Sequence, residues 1–293
     1  MLDRTGNLYV SCYASDDIHR IGPSGERTLF AYYRWAILMR RQAAGERTMI
    51  TLEGKVAIVT GGAHGIGRAI AEVFSEAGAS VVIADIDKPT GQAVAMSIRN
   101  ARFVHADVAV RADAELVMKV AASAAGRIDV LCNNAAHLGE THGALDAADE
   151  EWQRCFQVSL IGTQYFTAAA LPHMLRQKSG SIINIASVQG LVGARNSAAY
   201  TSVQHGIIGF TRSVACDYGP YNIRANAICP GAIQTRISPK PGDELYHRQV
   251  GKTFLGRVGA TREVAMAALF LASDAASYVT GAAIPVDGGW TAM

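Results

Sequence analysis

The stretch VAIVTGGAHGIGRAI, Val56 to Ile70, decides the fold. Val56–Thr60 is a short apolar run rich in β-branched residues, the kind that makes a fully buried strand. Gly61, Gly65 and Gly67 then punctuate a turn, and helical spacing resumes over 68–74. A strand, a glycine turn and a helix start, in that order, build an anion site. Backbone N–H groups and the positive end of the helix dipole face a pyrophosphate, and the glycines let it approach closely. The next strand pattern, SVVIAD, ends on Asp85, where a dinucleotide site needs an acid.

Outward from this unit, strand patterns alternate with helical ones as far as the C-terminus. Strands are expected at 57–60, 80–84, 102–106, 130–133, 181–186, 224–228 and 283–286. Such alternation implies parallel strands joined by right-handed crossovers with helices on both faces. The expected fold class is therefore α/β, a doubly wound Rossmann sheet of about seven strands in a single domain.

Residues 1–48 do not belong to that pattern. Two short alternating runs, at 7–12 and 17–21, are separated by turn residues and look like one strand–turn–strand unit of an NHL-type propeller repeat. One such unit cannot bury its face without neighbouring blades. AYYRWAILMRR, at 31–41, is more helical, and Met49 stands just before the first strand of the main pattern. Residues 1–48 are expected to be an extension outside the fold, a remnant or a mis-assigned start, with the Rossmann domain spanning 49–293.

Composition sets bounds on function. Of the 293 residues, 49% are hydrophobic and 18% charged, enough for a buried core and too apolar for a disordered chain. A net charge of +2 offers no basic surface for nucleic acid. Cys12, Cys132, Cys155, Cys216 and Cys229 are scattered, without C-x-x-C or Cys/His ligand spacing, which points to reduced thiols in a cytoplasmic protein. No apolar run approaches the ~20 residues that span a bilayer, and the N-terminus lacks a signal-peptide pattern. His137, His142 and His205 show no metal spacing, so no catalytic metal is expected.

The glycine spacing is G-x-x-x-G-x-G, and it resembles that of the short-chain dehydrogenase/reductase family. Further landmarks fall in family order between 52 and 293. They are Asp107-Val108, NNAA at 133–136, Ser187 at the end of GSIINIAS, Tyr200 in YTSVQ, PGAIQT at 230–235 and VDGG at 286–289. The resemblance implies a nicotinamide cofactor held by Gly61, His64, Gly65, Ile66 and Gly67, with Asp85 and Ile86 at the adenosine ribose. It puts Asp107 and Val108 at the adenine, Asn134 and Ala135 beside the nearby ribose, and Pro230, Gly231, Ile233 and Thr235 over the nicotinamide end. Tyr200 and Gln204 also border the cofactor. Ala136 stands where the family usually has glycine. NAD is favoured over NADP, because a 2′-phosphate at Asp85 would meet like charge and the residues that follow are Ile86, Asp87 and Lys88 rather than a basic pair. His64 gives only weak support for a phosphate.

On the catalytic side the resemblance assigns Tyr200 as proton donor or base at a substrate oxygen and Ser187 as the group that orients that oxygen. Two positions depart from the family. Gln204 stands one helical turn after Tyr200 in place of a lysine. It shares a helix face with Tyr200 and can hydrogen-bond a ribose hydroxyl, yet it supplies no positive charge. A tyrosine ordinarily titrates near pH ~10, and a neighbouring cation favours its phenolate. Ser159, in VSLIG, replaces an asparagine that stabilises a helix kink and anchors a relay water.

The resemblance thus implies an NAD-dependent oxidoreductase interconverting a secondary alcohol and a ketone. The competing reading is a non-catalytic dinucleotide-binding or regulatory homologue. Specificity is expected at 189–192, at His137-Leu138, and in the insert 234–256, a polar stretch resembling a lid, whose His247 and Arg248 read as a solvated helix face. The apolar helices expected around 152–174 and 199–218 imply, by the same resemblance, a homotetramer or homodimer.

Overall fold

In the computed structural model, residues 8–12, 17–21, 27–29, 50–139 and 142–292 are described. The chain divides into two units, Met1–Met49 and Ile50–Met293. In the first, β1 (Leu8–Cys12) pairs antiparallel with β2 (Asp17–Ile21), and β2 with β3 (Arg27–Leu29), as a separate three-stranded sheet. The helical pattern at 31–41 and Met49 lie outside the described residues.

In the second unit the apolar runs become seven parallel strands. These are β4 (Val56–Thr60), β5 (Ser80–Asp85), β6 (Ala101–His105), β7 (Val130–Asn133), β8 (Gly180–Ile185) and β9 (Ile223–Pro230), followed, after a short β10 (Ile233–Gln234) and β11 (Gly259–Ala260), by β12 (Ala283–Val286). Their order is β12-β9-β8-β7-β4-β5-β6. From β4 the chain winds outward through β5 to β6, then returns to β7 on the other side of β4 and winds the opposite way. The reversal opens a crevice at the carboxyl ends of β4 and β7, where a doubly wound sheet binds its ligand.

Helices cover both faces. The helices are α1 (Gly65–Glu76), α2 (Lys88–Ser97), α3 (Arg111–Ala125), α4 (Asp149–Cys155), α5 (Gly162–Gln177), α6 (Ala198–Tyr218), α7 (Glu244–Val250) and α8 (Thr261–Ala272). On one face Ile70 and Phe74 of α1 join Val264 and Leu269 of α8 against Val59, Ile83 and Ile183. On the other, Val117 and Met118 of α3, Phe166 and Met174 of α5 and Val214 of α6 cover Ile58, Leu131 and Ile182. Strands buried on both sides explain why the sequence shows continuous apolar runs rather than alternation. No helix among the described residues is long and apolar enough to cross a membrane.

The apolar pattern at 152–174 reads as one helix. The structure interrupts it with a π-helical segment, Phe156–Ile161, between α4 and α5. One extra residue per turn leaves the apolar count nearly unchanged, which hides such a segment from periodicity; π segments concentrate at functional sites.

Candidate active site

Three groups of residues meet along the carboxyl edge of the sheet. The first is the glycine turn. Gly61 has φ +63°, a left-handed conformation, and a Cβ there would lie 2.8 Å from Asn134 Nδ2. A Cβ on Gly67 would overlap the Gly61 carbonyl and Asn134 Nδ2 outright. Asn134 fastens the turn from the β7 side: its Nδ2 donates to the carbonyls of Thr60 (3.0 Å) and Gly61 (3.1 Å). Thr60 Oγ1 in return accepts from the backbone N–H groups of Asn134 (2.9 Å) and Ala135 (3.1 Å). Helix α1 then starts after His64 with no side-chain cap and no acid in its first turn. Its first N–H groups are thus left for an anion.

The second group borders that turn. Asp85 Oδ2 accepts from Ala63 N at 3.0 Å and Oδ1 from Asp87 N at 2.9 Å, which fixes the carboxylate beside the glycine turn. Ile86 is exposed, while Val108 is buried under the third crossover. Asp107 Oδ1 accepts from Ala109 N at 2.9 Å. Pro230 ends β9; Ile233 is buried, and the Thr235 methyl stands 3.5 Å from where a Cβ on Gly65 would lie. Thr235 and the glycine turn therefore face each other. Ile66, Gly231 and Ala135 are partly exposed along the same edge, and Ala136 is exposed.

The third group follows β8. Ser187 Oγ accepts from Gln189 N (3.1 Å), starting a short 3-10 turn, and its hydroxyl is close enough to the phenol of Tyr200, near the start of α6, to draw that phenol's pKa down. Burial pushes the Tyr200 phenol up to about 12, against the pull of the Ser187 hydroxyl, and the Cys155 thiol adds to the rise. Among the described residues no ammonium or guanidinium figures among the groups acting on it; Lys240 and Arg195 are both exposed. One turn further along α6, Gln204 is 0% exposed, and neither its Nε2 nor its Oε1 has a hydrogen-bond partner among the described residues. A buried amide without partners costs about 1–3 kcal/mol, so this one calls for a polar ligand.

Ser159, inside the π segment, is likewise 0% exposed. Its Oγ accepts from His137 N at 2.9 Å and donates to His137 O at 3.4 Å, pinning the loop that follows β7. That loop carries His137 and Leu138 past Cys155, and His142 pairs with Glu151 at 3.0 Å. At the insert, β10 and β11 pair in parallel (Ile233↔Gly259) and tie its two ends together. His247 and Arg248 on α7 are exposed, beside exposed Ile237, Phe254 and Leu255.

Sequence reasoning passed over a buried polar row beneath this edge. Asn133 Nδ2 donates to Asn184 Oδ1 (2.9 Å) and Thr167 Oγ1 (3.2 Å), Asn184 Nδ2 to Thr211 Oγ1 (2.8 Å), and Thr211 Oγ1 to Ile207 O (2.7 Å). It ties β7 and β8 to the helix that carries Tyr200. The signal available was a lone asparagine, Asn184, inside an otherwise apolar strand. Gln189, expected at the substrate, also holds a helix in place. Its Oε1 accepts from both Ser197 Oγ (2.7 Å) and Thr201 Oγ1 (3.0 Å), clamping the first turn of α6.

An uncapped helix start, a glycine turn closed to a Cβ at Gly61 and Gly67, a fixed carboxylate after β5 and a partnerless buried amide fit a dinucleotide lying across the crevice. Comparison with known proteins agrees. Residues 61–291 match a family model described as enoyl-(acyl carrier protein) reductase. The chain is 40% identical over 249 residues to trans-4-hydroxycyclohexanecarboxylate dehydrogenase of Sinomonas cyclohexanicum, covering 81% of this chain and 93% of that one. It is 39% identical over 243 residues to meso-2,3-butanediol dehydrogenase of Serratia marcescens, covering 82% and 96%. Among solved structures, levodione reductase superposes with a TM-score of 0.79 at 31% identity, covering 82% of this chain and 99% of that one. The gox2181 structure superposes at 0.81 and 36%, covering 84% and 98%. The fold and site define a dinucleotide-binding α/β oxidoreductase. Within that class, the chain belongs to the short-chain dehydrogenase/reductase family.

Proposed function

We propose that this chain is an NAD-dependent dehydrogenase or reductase that interconverts a secondary alcohol and a ketone. The observation that carries the reading is the Tyr200–Ser187 hydroxyl pair, set at the carboxyl edge of the sheet with the partnerless Gln204 amide one turn away. When bound, the nicotinamide supplies or accepts the hydride. The glycine turn and α1 hold the pyrophosphate, and Asp85 accepts from the adenosine ribose beside Ile86. Asp107 and Val108 border the adenine, and Pro230, Gly231, Ile233 and Thr235 cover the nicotinamide end. Gln204 hydrogen-bonds a ribose hydroxyl. Ser187 orients the substrate oxygen, Tyr200 gives that oxygen a proton in reduction and removes one in oxidation, and Ser159 positions the His137 loop beside them.

The direction of the Tyr200 shift biases the chemistry. A phenol pushed up to about 12 is fully protonated at neutral pH, which suits it to donate a proton in ketone reduction. Oxidation needs the phenolate, which is scarce there. The same observation favours a second reading, a dinucleotide-binding protein with little turnover. Ketone reduction with NADH at neutral pH separates the two, since only the first reading gives product.

NAD preference rests on Asp85. Calorimetric titration is expected to give tighter binding of NAD than of NADP, and Asp85→Ala to narrow the gap by about tenfold, one lost carboxylate–phosphate repulsion near the surface. NADP bound more tightly than NAD by the unaltered chain would refute the assignment.

We read the protein as cytoplasmic, with residues 1–48 an extension outside the catalytic fold, and as a homodimer or homotetramer assembled through α4 to α6. On this stretch Phe156 is exposed and Trp152 stacks on it at 6.2 Å. Light scattering at micromolar concentration is expected to give a multiple of the chain mass, and a monomer would contradict the assembly.

A further inference from the structure

Helix α6 begins with a capping group turned away from it. Ser197 is the N-cap residue, and a serine there ordinarily accepts from an N–H of the helix's first turn. Its hydroxyl makes no such bond and donates instead to Gln189 Oε1 at 2.7 Å. Thr201 Oγ1, one turn along, donates to the same oxygen at 3.0 Å. Both acceptor positions of the Gln189 carbonyl are therefore filled by hydroxyls at the start of α6. The main-chain N–H of Gln189 meanwhile donates to Ser187 Oγ at 3.1 Å. One residue thus holds the orienting serine with its backbone and the helix of the tyrosine with its side chain. The next residue, Gly190, completes the docking. A Cβ there would lie 2.8 Å from the Gln204 carbonyl and 2.7 Å from Ile208 Cδ1, so the 3-10 turn Val188–Gly190 runs close against the backbone of α6. The turn is fastened at Ser197 and Thr201 and packed at Gln204 and Ile208, with Tyr200 between.

Proton transfer to a substrate oxygen depends on where Tyr200 and Ser187 stand relative to each other. Ser187 follows β8 and Tyr200 stands in α6, so their separation is set by how the two elements pack. Resting on the reading of these two as the groups at the substrate oxygen, we propose that Gln189 is a positioning residue of the reaction. It ties the turn after β8 to the first turn of α6 and so sets the separation of the two hydroxyls. It acts through Ser187 and Tyr200 and carries no proton itself.

The test is steady-state ketone reduction with NADH at neutral pH, with cyclohexanone and 2-butanone among the ketones tried, beside NADH titration and thermal unfolding. Gln189→Met keeps the length of the side chain and removes the acceptor. Ser197→Ala combined with Thr201→Val removes the two donors and leaves Gln189 untouched. Either change is expected to lower kcat about tenfold, less than a full ~1 Å misplacement costs, with the ketone KM and the NADH affinity within about twofold of the unaltered chain. Joining all three substitutions is expected to slow the enzyme by no more than about twofold beyond the slower set, because both sets cut the same tie. A kcat that stays unaltered while only thermal stability falls would overturn the proposal. So would losses that multiply when the sets are joined. A raised KM in Gln189→Met that removal of the two hydroxyls does not reproduce would make Gln189 a substrate contact and overturn it too. An unaltered chain that binds NADH and reduces none of the ketones would instead overturn the dehydrogenase reading on which the proposal rests.

Discussion

Alcohol oxidation by this chain is expected to rise about tenfold per pH unit between pH ~7 and ~10.5, with no plateau in that range. The rise follows the phenolate fraction of Tyr200. Burial pushes that phenol up to about 12, and among the described residues no cation acts on it to pull it back. The sign follows from the acid: raising its pKa removes the ionised form at every pH below the new value, so oxidation suffers and reduction, which uses the protonated form, does not. Gln204→Lys restores a cation on the same helix face. An opposite charge within a few ångströms lowers an acidic pKa by about 1–3 units, so the variant is expected to oxidise alcohols at least tenfold faster at neutral pH, with its rise displaced downward. Ser159→Asn in the same background is expected to add to the gain. Steady-state NADH production across the pH range is the measurement. A pH-independent rate in the unaltered chain would show that the proton leaves by a route other than Tyr200.

Gly67→Ala is expected to abolish dinucleotide binding and to destabilise the fold by about 2–4 kcal/mol. The added methyl would overlap the Gly61 carbonyl and Asn134 Nδ2, so the turn must open and its bonds to Asn134 must break. These are the contacts that set the entrance of α1 against the end of β7. Gly193→Ala is the control, because a Cβ there meets nothing within 4 Å. Thermal unfolding together with NAD titration reads both effects. A Gly67→Ala protein that binds NAD normally would mean that the turn can relax without cost and does not form the cradle.

The strands were legible in the sequence because burial on both faces writes them as unbroken apolar runs. β7 and β12 fall on the expected 130–133 and 283–286, while the expected 102–106 and 181–186 sit one residue late against β6 and β8. β9 runs on to Pro230, beyond the expected 228, because pairing with β12 carries the ladder to that end. The glycine turn was legible for a different reason, since its conformation excludes side chains locally. What stayed hidden depends on contacts between distant residues. The π segment preserves the apolar spacing of a single helix. The row from Asn133 through Asn184 to Thr211 joins two strands and a helix, and no local pattern marks it. His64 and Asp87 each look like ordinary turn residues until the crossover brings them together. The isolation of Gln204 is also a property of the packed state: a glutamine reads as polar and exposed until the fold closes around it.

Tyr200 is proposed to work as the proton donor of a nicotinamide-dependent reaction without a neighbouring lysine. This role is tested most directly by following ketone reduction with NADH at neutral pH over a panel of cyclic and acyclic ketones, in the unaltered chain and in Tyr200→Phe. NADH binding is measured in parallel. The expected result is turnover of at least one ketone by the unaltered chain, and a fall of about a thousandfold in kcat in the variant with NADH still bound. An unaltered chain that binds NADH yet reduces none of them, or a Tyr200→Phe chain that reduces them at the unaltered rate, would contradict it.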